Sequence, residues 1–120
     1  MSKVLIVDDS QTMREMIAHL LRQHGMVTVL AGDGVEAQAQ FNATAPDLVI
    51  TDIVMPQMNG YELCRWLKAD DSRKVIPVVL CTSKGEEFDR YWGMKQGADA
   101  YIAKPFQPDD LVETVKQLLK

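Results

Sequence analysis

Five polar residues stand where short apolar runs stop: Asp8 with Asp9, Asp52, Thr82 and Lys104. The runs are Val4 to Val7, Leu48 to Thr51, Pro77 to Cys81 and Ala100 to Ala103. Each is rich in β-branched and aliphatic residues of the kind that form buried strands. A charge at the end of such a strand needs a partner or a purpose, because desolvating an unpaired carboxylate costs roughly several kcal/mol. Taken alone, Asp52 reads equally well as a cap on the loop that follows, where Pro56 and Asn59-Gly60 supply turn chemistry. Brought together, three carboxylates repel one another and would raise each other's pKa unless cations intervene. A hard divalent ion suits such an oxygen-rich site. Mg²⁺ takes one or two carboxylates plus waters and phosphate oxygens, and Mn²⁺ accepts the same donors. Lys104 adds a second cation and Thr82 a hydroxyl. This is equipment for phosphoryl transfer, where catalysis is mostly positioning and charge neutralisation. No P-loop is present to hold a nucleotide, so the chain itself is the expected phosphate acceptor, with Asp52 as the carboxylate nucleophile.

The elements that must position these residues alternate along the chain. After the first strand, Ser10 can cap a helix whose apolar positions Met13, Ile17, Leu20 and Leu21 fall on one stripe, and Gly25 ends it. Met26 to Leu30 reads as a second strand. Asp33 and Glu36 have capping-box spacing and open a helix that holds Ala37 and Phe41 and stops before Pro46. Beyond the strand ending at Asp52, Leu63, Cys64 and Leu67 mark a third helix, and Lys68 to Lys74 is a polar connection. The fourth strand ends at Thr82. Ser83 and Glu86 again have capping-box spacing, and a helix is predicted to run to about Gln96 before Gly97. The fifth strand ends at Lys104. Pro108 suits the first turn of a last helix, with Asp109 and Asp110 at its positive end and Leu111, Val112, Val115, Leu118 and Leu119 as its buried stripe. Five strands alternating with five helices imply an α/β fold, a doubly wound parallel sheet covered on both faces. Ligands of such sheets sit at the carboxyl ends of the strands, where the winding reverses, and there these strand-end residues fall on one edge.

Composition narrows the function classes. The chain has 120 residues, 47% of them hydrophobic and 25% charged, which is ordinary for one globular domain. A formal net charge of −4 and the lack of any basic cluster argue against nucleic acid as a partner. No apolar run approaches the roughly 20 residues of a membrane span, so no membrane insertion is expected. The first strand leaves no room for a signal peptide. Cys64 and Cys81 make neither a C-x-x-C pair nor a disulfide framework, and a cytoplasmic setting is expected.

Val7-Asp8-Asp9-Ser10, Asp52 with Met55-Pro56 and Gly60, Thr82, and Lys104-Pro105-Phe106 together resemble the receiver domain of bacterial response regulators, in its CheY-type single-domain form. The resemblance covers essentially the whole chain, so residues 1–120 are expected to be one receiver domain with no output domain. It implies the strand order 2-1-3-4-5, for which CheY is itself a standard example. It implies a role for each matching residue. Asp52 would carry the aspartyl phosphate. Asp9 would bind Mg²⁺ directly, Asp8 mainly through water, and the backbone carbonyl of Val54 would complete the protein ligands. Lys104 would contact the phosphoryl oxygens, in a cis peptide with Pro105. Thr82, beside the small Ser83, would shift toward the phosphate. Tyr101 would follow it inward, altering the face made by the fourth helix, fifth strand and last helix. Val54 and Lys84 occupy positions that influence phosphate lifetime, and Val54 is expected to shield the acyl phosphate from water. The partners implied are a histidine kinase or phosphotransfer domain and a downstream signalling or motility protein. The chain would be a monomer or associate weakly on phosphorylation, and would be a phosphoacceptor rather than an enzyme. A phosphate sink without a target of its own remains open.

Asp89 to Ala98 resembles, more narrowly, the fourth helix of PilH-like regulators of type IV pilus twitching and of cyanobacterial phototaxis regulators. Gly93 inside a helix costs about 1 kcal/mol relative to alanine, so a close approach is expected there. Phe88 and Trp92 share a helix face and by default pack inward; the alternative is a partner-binding patch with Tyr91, Trp92 and Tyr101 as candidates. A rival from another class is the G-x-G-x-x-A spelling of Gly32, Gly34 and Ala37, a dinucleotide fingerprint with Asp52 at about the right distance. Against it, Asp33 would face the pyrophosphate and the capping box already explains the turn.

Overall fold

The computed structural model describes residues 1–83 and 87–120 and, of their side chains, those of 1–83 and 89–120. Among the described residues, strands and helices alternate as β1 (Lys3–Val7), α1 (Gln11–Arg22), β2 (Val27–Ala31), α2 (Gly34–Thr44), β3 (Leu48–Thr51), α3 (Gly60–Lys68), β4 (Val78–Thr82), α4 (Glu87–Lys95), β5 (Ala100–Ala103) and α5 (Pro108–Leu118). The strands form one parallel sheet in the order β2-β1-β3-β4-β5. The second strand starts one residue later than its hydrophobic pattern suggests, because Met26 is spent on the core and its N–H closes the turn onto the Leu21 carbonyl.

The sheet is buried on both faces, and the two-residue period of its strands sorts side chains between two cores. Leu5, Val7, Val49 and Leu80 point to the layer that holds Leu63, Cys64, Leu67 and Tyr101. Val4, Ile6, Leu48, Ile50, Val79 and Cys81 point the other way, against Ile17, Leu21, Leu111 and Val115 of α1 and α5. The helices begin where side chains can satisfy their first amides. Ser10 accepts from the Met13 N–H, Asp33 from Glu36, and Asn59 and Glu62 form a reciprocal capping box. Pro108 opens α5 with Asp109 and Asp110 in its first turn. The expected capping box of Ser83 with Glu86, and Lys84, lie outside the described residues.

The loop after β3 is folded tightly back on its own strand. The Gly60 N–H donates to the Ile53 carbonyl at 2.8 Å. A Cβ on Gly60 would lie 2.0 Å from the Asp52 carbonyl oxygen, so the backbone that carries Asp52 and the start of α3 are in direct contact. Gly60→Ala must therefore push that backbone apart. We expect a loss of about 3 kcal/mol, the upper part of the overpacking range because backbone rather than a side chain has to yield. The measurement is a urea titration, where the midpoint should fall with the slope unchanged; an unaltered midpoint would contradict the contact.

Candidate functional site

Parallel pairing places the carboxyl ends of β1, β3, β4 and β5 side by side, and the site is assembled there. The Asp8 N–H continues the ladder to the Ala31 carbonyl, the Asp52 N–H bonds the Val7 carbonyl, and the Lys104 N–H bonds the Thr82 carbonyl. The side chains one step past each strand are thereby fixed in relative height. Asp8, Asp9 and Asp52 converge, each offering a carboxylate oxygen, and these atoms lie within 4.8 Å of one another. Asp8 is buried, Asp52 half-buried and Asp9 exposed, so the cluster opens to solvent on the Asp9 side.

One cation of the chain already serves this cluster. The Lys104 ammonium donates to Asp8 Oδ2 at 2.6 Å and to Asp52 Oδ2 at 3.1 Å. The other oxygens of these two carboxylates accept backbone N–H groups, from Ser10 to Asp8 at 2.9 Å and from Ile53 to Asp52 at 2.6 Å. Burial pushes the Lys104 ammonium down, but the hydrogen bond and charge of Asp8 and the charge of Asp52 together outweigh it and hold its pKa above the usual lysine value. The Lys104-Pro105 peptide is cis, as the resemblance implies. Thr82 is fully buried at the end of β4, and Ser83 is exposed beside it. Val54 lies two residues beyond Asp52 and is 57% exposed.

Arg14 was not singled out by its residue type. Its guanidinium, on the first turns of α1, donates to the Asp8 carbonyl at 2.5 Å. It thus braces the loop that carries the acidic pair. The only sequence signal is its place four residues after the Ser10 cap, facing back over the end of β1.

Tyr101 is 6% exposed, with its ring inside the core next to Leu80. One expectation changes. Trp92 is 45% exposed rather than packed in, and Tyr91 is 59% exposed, because the residue that α4 presents to the sheet is Gly93. The side chain of Phe88 lies outside the described residues. The Gly32–Ala37 stretch is used up by local structure. The Gly32 N–H donates to Glu36, Asp33 caps α2, and a Cβ on Gly34 would lie 2.6 Å from Met58. The approach to Gly34 is thereby taken by Met58.

The acidic site at the carboxyl edge of a 2-1-3-4-5 sheet is the arrangement of receiver domains. A family model described as the response regulator receiver domain matches residues 4–116. The chain belongs to this family, and with it to two-component signalling. It is 40% identical over 118 residues to the DNA-binding response regulator MtrA of Mycobacterium tuberculosis, covering 98% of this chain but 50% of MtrA. It therefore spans about half the length of these relatives. It is 38% identical over 119 residues to Protein PilH of Pseudomonas aeruginosa, covering 99% of this chain and 98% of PilH. Among solved structures, the chemotaxis response regulator CheY4 of Vibrio cholerae superposes with a TM-score of 0.91 at 33% identity, covering 98% of each chain. No helix among the described residues is long and apolar enough to cross a membrane.

Two predictions follow from the charge arrangement. Lys104→Met leaves the buried Asp8 without its cation and should cost about 3 kcal/mol in metal-free buffer, with part of the loss recovered on adding Mg²⁺; denaturation with and without the ion measures both. Stability should also fall at alkaline pH. Burial raises the Cys64 thiol from 9.0 to about 11, the Cys81 thiol from 9.0 to about 12 and the Tyr101 phenol from 10.0 to about 12. The folded chain keeps these protons where the unfolded chain has lost them, so stability is full below about pH 9 and drains away as pH climbs toward 12. Urea midpoints at pH 8 and pH 10.5 test the sign.

Proposed function

We propose that this chain is a phosphoacceptor that takes a phosphoryl group from a histidine kinase or phosphotransfer domain onto Asp52. The observation that carries the reading is the position of Asp52, half-buried between a buried acid, an exposed acid and the ammonium of Lys104. A carboxylate oxygen of Asp52 attacks phosphorus in line, the bond from phosphorus to the donor nitrogen breaks, and the nitrogen keeps the electron pair. The product is a mixed anhydride on Asp52. Lys104, already 3.1 Å from the Asp52 oxygen, exchanges that contact for the phosphoryl oxygens as charge moves onto them. Thr82, at the end of the neighbouring strand, offers its hydroxyl to the same oxygens.

The donor set also fits a hard divalent cation. The side chains are all oxygen donors, three carboxylates close together, and one lysine leaves them short of positive charge. Asp8, Asp9 and Asp52, with the Val54 carbonyl, would hold Mg²⁺, which supplies charge neutralisation at the phosphoryl oxygens when bound. Phosphorylation adds charge and strong acceptor oxygens at one point of the edge. The α4–β5–α5 face, whose strand leads into Lys104 and pairs with the strand that ends at Thr82, responds by differential contacts and offers itself to a partner. The PilH match, which spans nearly all of that protein, and the likeness to the chemotaxis response regulator CheY4 favour pilus-based motility or chemotaxis-type signalling as the pathway.

The test is treatment of the purified chain with a small acyl phosphate and Mg²⁺, followed by mass-spectrometric mapping. One phosphoryl group should appear on Asp52, be lost in Asp52→Asn and fail to form in EDTA. Labelling that persists under either condition would refute the mechanism. Val54→Asn, which replaces an exposed apolar side chain two residues past Asp52 by one that can position water, should shorten the phosphate lifetime.

A further inference from the structure

Every polar group of Asp8 is taken. Its N–H donates to the Ala31 carbonyl, Oδ1 accepts the Ser10 N–H, Oδ2 accepts Lys104, and the carbonyl oxygen accepts the Arg14 guanidinium at 2.5 Å. Asp9 is its opposite. It is exposed and its carboxylate has no hydrogen-bond partner among the described residues, yet it offers an oxygen within 4.8 Å of those of the other two acids. Repulsion favours swinging such a carboxylate away, so its direction is set by backbone. The Asp8 carbonyl and the Asp9 N–H belong to one planar peptide. Fixing the carbonyl therefore fixes the direction in which Asp9 leaves β1. Among the described residues, Arg14 is the side chain that hydrogen-bonds this peptide. The guanidinium is itself located, since a Cβ on Gly32 would lie 3.4 Å from Arg14 Nη1 and 4.0 Å from its Cζ. It rests against the β2–α2 turn while its stem rises from α1.

We propose that Arg14 is a positioning residue of the cation site: by holding the Asp8–Asp9 peptide it keeps the Asp9 carboxylate turned toward Asp8 and Asp52. The inference rests on the reading of these three acids as a site for a divalent cation. It runs against the sign of the arginine's own charge. On electrostatics alone, a cation beside three carboxylates opposes a second one, and its removal would tighten Mg²⁺ binding. As a brace, its removal frees Asp9 to turn away and weakens binding; groups that orient metal ligands typically carry about 10–100-fold in affinity. The geometry favours the brace, because the guanidinium is bound to a carbonyl and forms no ion pair among the described residues.

The experiment is urea unfolding of wild type, Arg14→Met and Arg14→Lys at a series of Mg²⁺ concentrations, with ionic strength held constant by NaCl. An ion that binds the folded chain stabilises it once its concentration passes the dissociation constant. The Mg²⁺ concentration at which the midpoint begins to climb thus reports affinity, and the ion-free midpoint reports stability apart from it. Arg14 is half-exposed and belongs to neither core, so the variants fold. In Arg14→Met the climb should begin at about tenfold more Mg²⁺. Arg14→Lys keeps a charged donor for the single carbonyl and should begin within about threefold of wild type. A merely structural arginine would lower the ion-free midpoint and leave that concentration unmoved, which would overturn the proposal. So would a climb that begins at less Mg²⁺ in Arg14→Met, or an equal displacement in both variants. A wild-type midpoint indifferent to Mg²⁺ would sink the cation reading and this inference with it. Failure of phosphoryl transfer to Asp52 is scored separately, since the midpoints are read without a phosphodonor.

Discussion

The placement of one ammonium among three carboxylates governs this molecule. With the acids ionised, Asp8, Asp9 and Asp52 against Lys104 leave a formal charge of −2 at the carboxyl edge of the sheet. Lys104 cannot leave without stranding Asp8, which is almost wholly buried. Nor can it neutralise the cluster by itself. On the function proposed above, conversion of Asp52 to an acyl phosphate would remove one negative charge and add close to two, and a divalent cation would match the −2 deficit of the unloaded site.

Such an imbalance needs a scaffold that will not relax. Parallel strands supply it, because ladder hydrogen bonds from Asp8, Asp52 and Lys104 lock the backbone beneath each charge. The strands themselves are buried on both faces and cannot shift register without turning one core into the other. The contact of Gly60 with the Asp52 carbonyl adds a second restraint from the loop side, and Arg14 a third at Asp8. Repulsion between the acids therefore cannot be relieved by spreading them apart. The ammonium of Lys104 relieves part of it.

How much of this is legible in the residues depends on whether the signal is local. Asp52 after Leu48–Thr51, or Lys104 after Ala100–Ala103, declares itself because a polar residue ends an apolar run and parallel topology does the rest. Helix starts are equally plain at Ser10 and Asp33, whose side chains each reach an amide three residues on, whereas Asn59 reads as part of a turn and its capping of α3 is seen only in the structure. Tyr101 is different. Its depth is decided by Leu80, Arg90 and Gly93, on two other elements, and nothing in its own neighbourhood along the chain encodes that. Trp92 misleads for the same reason. Spacing from Phe88 suggests a shared inner face, whereas the inner position of α4 belongs to a residue without a side chain. Arg14 looks like any charged residue near a helix start until the end of β1 is seen beneath it. The Gly32–Ala37 spelling errs the other way, since its glycines serve a helix cap and a contact with Met58.

Gly93 links the interior to the outside of α4. A helix turns by about 100° per residue, so with Gly93 aimed at the sheet, Trp92 is rotated to the flank and Tyr91 nearly to the opposite side. Their exposures of 45% and 59% are therefore a consequence of the close packing beneath them and not an independent feature. An alternative register of α4, with an aromatic residue facing in, would bury one of these rings and evict Tyr101 at once. The chain instead places its inner aromatic on β5 and its outer ones on α4, and Lys95 lies 5.4 Å from the centre of the Tyr91 ring. The exposure of the aromatic residues on α4 thus follows from how tightly Gly93 sits over Leu80 and Tyr101.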